Sequence, residues 1–381
     1  MSAGPSAEVS ERLGFERWPE LLRLDQGREG TPADRRRALV KAAQAVRERF
    51  VASGIVEGLA SHELVRFPYP SRYGLRDALS SPVPFLCLAN RVFVVKYLDF
   101  QDVRRVLVVS PSDVTANGET PFFKGLIEQF GRLRGLAETV ISRRGKTVAE
   151  ALSASGVRPD EVDFITYDHL HTQDLRGWLG TAGRPAFFAR AKLLVMREEW
   201  ATVSGLSEPQ RPWYCPGGAD GVDAARVVLL DDSVALGRGV MLVRTPGHTE
   251  GNHSVVIGSG LGVTVTSENG VCADSYEPSA SRIAGLAAYA RSTGMDVVLN
   301  GNTLERGLDQ YLSMIVEKTL AGPSPRDGRL PNFLASSELT PAWYAPGIKA
   351  GLAFGDVAFE NPSLASLASP AAAFATKGTR I

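Results

Sequence analysis

A chain of 381 residues with 44% hydrophobic and 22% charged side chains has the composition of a globular protein. Its 42 basic and 42 acidic side chains cancel, so no field of one sign exists to gather nucleic acid or an anionic membrane. Three well-separated cysteines, Cys87, Cys215 and Cys272, argue against a disulfide framework or a thiolate zinc site. No run approaches the roughly 18 apolar residues of a membrane span, and the polar stretch Met1 to Gly30 lacks the apolar core of a secretory signal. The expectation is a soluble, cytoplasmic protein that binds neither nucleic acid nor membrane.

Residues 1–60 read as an N-terminal helical extension. Thr31-Pro32-Ala33-Asp34 is a helix start, with a capping hydroxyl, proline in the first turn and an acid beside it. Leu39, Ala42, Ala43, Val46 and Phe50 then recur at helical spacing, while Arg35, Arg36, Arg37, Lys41, Arg47 and Glu48 lie mostly off that stripe, on a solvated face. From about residue 62 the pattern turns to strands. Phe85–Leu88, Val92–Val95 and Val106–Val109 are short β-prone runs, as in a meander, and Phe122–Phe130 and Val148–Leu152 suit helices. Val162–Thr166 is a buried strand, Val227–Leu230 and Val240–Val243 a pair, and Val255–Ile257 and Val263–Thr266 two more. A helix over Ile283–Arg291 leads into a strand at Val297–Leu299 and the segment Asn300-Gly301-Asn302. Strands in two groups with helices between them predict an α/β (α+β) domain over 61–325, with sheets stacked face to face and helices outside. The remainder, 326–381, is rich in Pro, Gly, Ser and Ala yet holds Phe333, Trp343, Tyr344 and Phe354, which suggests a C-terminal arm lying on another surface. Apolar side chains at both ends that need cover point to a homodimer.

Four of the five histidines fall in two short segments, His169-Leu-His171-Thr-Gln-Asp174 and Thr245-Pro-Gly-His248-Thr-Glu-Gly-Asn-His253, each following a β-branched apolar run. Two imidazoles at one strand end and a third on a Gly-Pro turn after another can close three corners of a tetrahedron and leave the fourth for water. A lone histidine is more often a hydrogen-bonded core or surface residue; the clustering favours a metal site. Trp178, Trp200 and Trp213 flank the motifs and suit either a substrate wall or the core.

Thr245–His253 resembles the T-P-G-H-T-x-G-x-H segment of the metallo-β-lactamase superfamily almost in full. Val162–Gly177 resembles that family's strand and H-x-H-x-D-H-x-G-G loop, and Asp102–Asp113 sits where it has a strand ending in an acidic turn. The resemblance runs from about 85 to 320 and implies an αββα four-layer sandwich with its site along one edge of the sheets. It implies His169, His171 and His248 as an intact first metal site, with zinc the expected ion, and a structural role for His253. The second site departs from the pattern. In an ungapped alignment Gln173 takes the place of the family's Asp and Asp174 that of its third His. Glu268 stands for a bridging aspartate, and Asn302 for the last histidine. A second site built from Asp174 and Glu268, with Gln173 and Asn302 as weaker or substrate-orienting members, is harder and favours manganese or iron. Asp168 is placed to accept an N–H from a ligating imidazole.

The leading expectation is a metal-dependent hydrolase of a small molecule, using an activated water on an ester-like carbonyl bond (ester, lactone, thioester or amide), with Asp174 or Glu268 moving the proton. A second reading is a mononuclear iron oxygenase using His169, His248 and Glu268 as two histidines and a carboxylate. A third is a non-catalytic metal-binding or partner subunit.

Overall fold

The computed structural model describes residues 12–128, 142–301 and 306–361. Among these, thirteen strands are β1 Gly58–Pro70, β2 Phe85–Leu98, β3 Arg104–Val109, β4 Arg143–Arg144, β5 Phe164–Thr166, β6 Lys192–Met196, β7 Val227–Leu230, β8 Val234–Gly237, β9 Val240–Arg244, β10 His253–Ser259, β11 Gly262–Thr266, β12 Ser337–Leu339 and β13 Val357–Glu360. The helices that position the site are α1 Pro19–Gln26, α2 Pro32–Ala52, α3 Pro121–Glu128, α4 Val148–Ala154, α5 Arg197–Ser204, α6 Leu286–Thr293 and α7 Gly307–Ala321.

The large sheet runs β13-β1-β2-β3-β5-β6-β7, with β12 on β2 and β4 on β1; the small sheet runs β11-β10-β9-β8. Alternation along the strands explains the layers. Phe93 and Val95, Leu107 and Val109, Phe164, Leu194 and Met196 join one core with the small sheet's Met241, Leu242, Val255 and Val256. The intervening Val92, Val94, Val108, Ile165, Leu193 and Val195 face the other way and pack with Val148, Ala151 and Leu152 of α4. Helix α7 lies against β10 and β11 and carries α2 beside it. The order is helix, sheet, sheet, helix, the αββα arrangement expected.

Both ends of the described residues share this core. In α2 the side chain of Thr31 caps the amide of Asp34, and Leu39, Ala43, Val46 and Phe50 are buried, as the stripe predicts. Phe333, Leu334 and Phe354 belong to the same cluster, β12 adds to β2 and β13 to β1. Phe333, Leu334 and Phe354 of the expected arm are therefore covered by this chain, whereas Trp343 stays 72% exposed. Residues 362–381, the rest of that arm, lie outside the described residues.

Three local expectations are corrected. The runs at 85–88 and 92–95 are one strand, β2, since Asn90 and Arg91 pair across it instead of turning. The long strand β1 escaped notice because its prolines and charges break the alternation. Val297–Leu299 is buried but unpaired as a strand; its Val298 amide bonds to the Ser275 carbonyl.

Asp25 in α1 accepts the amide (2.8 Å) and hydroxyl (2.7 Å) of Ser233. Burial outweighs those bonds and pushes its carboxyl from 3.8 up to about 6. The native state therefore takes up a proton that the unfolded chain releases, so this contribution is present at low pH and lost as pH rises through 6. Between pH 7.5 and pH 5 the wild type should gain about 1.4 kcal/mol relative to Asp25→Asn. Urea melts of both proteins at each pH measure it, and parallel curves would contradict it.

Candidate metal centre

Strand β5 lies between β3 and β6 in the parallel part of the large sheet, and its C-terminal end releases Tyr167, Asp168, His169, Leu170 and His171. Loops at that end of parallel strands are the usual place for reacting groups. From the facing sheet, β9 ends at Arg244 and runs into the turn carrying His248. The two edges are stitched together where the His253 amide, at the start of β10, donates to the Asp168 carbonyl at 2.9 Å.

This brings His169, His171 and His248 together. One ring nitrogen from each lies within 4.8 Å of the others, and all three residues are buried. The ring centroids are 4.5 to 5.1 Å apart. Asp168 Oδ1 is 3.0 Å from His169 Nδ1, and its other oxygen accepts the Ser336 hydroxyl at 2.6 Å. Neither nitrogen of the fully buried His248 has a hydrogen-bond partner, nor does His171 Nδ1. Leaving buried imidazole nitrogens unpaired costs about 1–3 kcal/mol each. Burial also pushes His171 and His248 well below the usual imidazole range, so they are neutral. Burial works the same way on His169, but the Asp168 carboxylate overrides it and pushes that ring up to about 9. The neutral His171 and His248, whose unpaired nitrogens converge with His169, suit a divalent cation, which would have to displace a proton from the His169 ring.

The expected second site does not assemble in the same way. Asp174 was expected as a ligand and proton carrier; instead both its oxygens are held by Arg176, at 2.9 Å from Nε and 2.6 Å from the terminal nitrogen. The guanidinium two residues along meets both carboxylate oxygens in a bidentate pair. The Gln173 amide oxygen accepts the Ser112 hydroxyl at 3.0 Å. Asp174 does not join the histidine cluster among the described residues, whereas Gln173 lines the same cavity as His169 and His171. Glu268 is closer: its Oε2 lies 3.8 Å from His169 Nε2, and burial raises its carboxyl. Asn302 lies outside the described residues, while the nearby Asn300 donates to the Glu268 carbonyl at 3.3 Å. His253 Nε2 bonds to Thr166 at 2.9 Å, a structural placement.

Glu199, in α5, gave no sign of a role in the sequence. Its buried carboxylate accepts the Leu170 amide at 2.8 Å, the Thr249 hydroxyl at 2.6 Å and the Tyr214 hydroxyl at 3.2 Å. It thus clamps the loop between His169 and His171 to the residue after His248. Only a glycine fits beside it: a Cβ on Gly251 would sit 2.1 Å from the Glu199 nitrogen. On the other side, the His248 amide donates to Asn269, which donates in turn to buried Glu317 at 2.8 Å.

Asp168, His169, His171 and Glu268 line a cavity of about 480 Å³, whose walls include Phe67, Phe122 and Trp213. Trp213 stacks on Phe122 with centroids 4.3 Å apart. Trp178 and Trp200 pack on the outer core instead.

No family model matches the sequence, and no curated protein matches it. Solved structures similar to this chain include a probable metal-dependent hydrolase from Staphylococcus aureus, at 11% identity over 68% of this chain and 82% of that one, with a TM-score of 0.46. Another is a dizinc quorum-quenching lactonase in complex with its product, at 12% identity over 81% and 95%, TM-score 0.46. A third is a hydrolase in the beta lactamase superfamily, at 13% identity over 80% and 94%, TM-score 0.42. Identity and TM-score are too low for any residue's role to be carried over. The layers, strand order and two histidine loops of this chain speak for themselves. They make an αββα sandwich, the layering that the resemblance implied. Within a sandwich of this type the histidine site sits at the edge shared by the two sheets, where the resemblance placed it. No helix among the described residues is long and apolar enough to cross a membrane.

Proposed function

We propose that the chain is a metal-dependent hydrolase of an ester-like carbonyl bond, with one cation held by His169, His171 and His248. The observation that carries this is His248, fully buried with both ring nitrogens unpaired beside two further imidazoles. A divalent cation there, zinc by the softness of three imidazoles, supplies Lewis acidity and brings the pKa of water towards neutrality. Asp168 keeps the His169 proton on Nδ1, which leaves Nε2 as the ligating nitrogen. Glu268 lines the cavity and is placed to hold a proton on Oε2 and return it to a leaving group. The apolar walls exclude bulk water from the reacting carbonyl. A carbonyl substrate suits this centre better than a phosphodiester, which two firmly held metals serve best, because Asp174 is committed to Arg176.

Metal analysis and titration of the stripped protein test the reading. One equivalent of zinc per chain is expected to bind tightly and to restore hydrolysis of a p-nitrophenyl ester abolished by chelation. A second equivalent of equal affinity would contradict the assignment of Asp174. Firmly bound iron with oxygen consumption would replace hydrolysis by oxidation, and failure to retain any metal would sink the reading.

A further inference from the structure

The cavity has a long axis set by strand register. Arg144 on β4 pairs with Val65 on β1, Val65 with Asn90 on β2, and Asn90 with Ser337 on β12. Residues paired across neighbouring strands share a face, and all four line the same cavity. At one end of this row, Ser337 and Ser336 bond to Glu268, and Ser336 bonds to Asp168, so that end lies at the histidine centre. At the other end stands an exposed guanidinium. Three strand spacings separate the backbones at the two ends by roughly 14 Å.

Between its ends the row holds Val65 and the amide of Asn90, and the apolar wall is built beside it. Val65 and Phe67 follow on the same face of β1, and Phe122 and Trp213 close the opposite side. Arg144 has no ion pair among the described residues, whereas Glu119, the acid at the same cavity's rim, is neutralised by Lys124. Arg144 is the one arginine or lysine among the described lining residues.

On the reading that the histidine centre hydrolyses a carbonyl bond, we infer that the substrate is an elongated amphiphile. Its reacting carbonyl sits at the histidines, its apolar body lies along Val65 and Phe67, and an anionic group such as a carboxylate ends at Arg144. Arg144 sets specificity by pairing with that anion at an exposed site, where such a pair is worth about a fivefold preference.

Two measurements test this. The first compares kcat/KM for p-nitrophenyl nonanoate and for the mono-p-nitrophenyl ester of nonanedioic acid on the zinc-loaded protein. The dicarboxylic ester should be preferred about fivefold at low salt. The ratio should fall to about one in Arg144→Ala and invert in Arg144→Glu. The second follows Trp fluorescence on binding nonanedioate against nonanoate, without turnover, and should show the same preference and the same loss. An identical ratio in wild type and both variants, or no preference in the wild type, overturns the inference. Arg144-dependent binding of nonanedioate with neither ester hydrolysed would uphold the anion site and overturn the hydrolase reading alone.

Discussion

His248→Ala should lose metal and hydrolysis together while the protein stays folded. The residue is fully buried and sits on a turn after β9, so its ring has no other partner to satisfy. Removing a ligand exceeds the ten- to hundredfold loss typical of outer partners, so kcat/KM should fall by at least ~1000-fold. Stability of the metal-free protein should change little. The variant opens a small void, but it also removes two unpaired buried nitrogens, each worth about 1–3 kcal/mol. Adding zinc should raise the melting temperature of the wild type and leave the variant unmoved, because only a protein that binds the ion is stabilised by it. Calorimetry with and without zinc reads both effects. A variant that keeps a full equivalent of metal would place the cation elsewhere.

The second large effect is expected at Glu199. Alanine there strands the Leu170 amide and the Thr249 and Tyr214 hydroxyls, destabilising the fold by about 3–5 kcal/mol. It also frees the two histidine loops from each other, so zinc affinity should fall ten- to hundredfold, on the order of other outer-partner losses. Because that variant risks unfolding, Thr249→Val is the sharper test. It removes the bond to Glu199 Oε2 with nearly the same shape, and should weaken zinc binding up to about tenfold while costing about 1–3 kcal/mol of stability, less than Glu199→Ala. Glu199→Gln keeps one acceptor and should recover part of the affinity. Chelator competition gives the numbers. Wild-type affinity in folded Thr249→Val and Glu199→Gln would reduce Glu199 to a packing role.

How much was legible follows from the range of the interactions. The two histidine loops are local patterns, each attached to its own strand, so their convergence could be read before the fold was known. The layers followed for the same reason, since alternation in Val92–Val95 and Val106–Val109 already assigns two faces. Glu199 was not legible. It is one of two adjacent acids in the first turn of a polar helix, and only tertiary packing carries it beneath Leu170 and Thr249. The partner of Asp174 was not legible either, because its position in the motif says nothing of Arg176, whose guanidinium holds both carboxylate oxygens. The C-terminal segment misled through composition: proline and glycine suggest a loose arm, yet Glu338 pairs with fully buried Arg91 and fixes β12 on β2.

That pairing has a consequence for the order in which the centre is assembled. The histidine loops leave the ribosome well before residues 336–339, because domains emerge N-terminal first. Until β12 docks, Asp168 lacks the Ser336 hydroxyl and Glu268 lacks its serine partners. On the proposed reading the nascent centre would hold three imidazoles with their outer supports incomplete, and should exchange metal faster than the finished one. Selection among competing ions is then settled late, at the docking of one three-residue strand. Glu338→Gln, which weakens the Arg91 anchor, should speed zinc release from the folded protein; an unchanged release rate would mean that β12 holds without it.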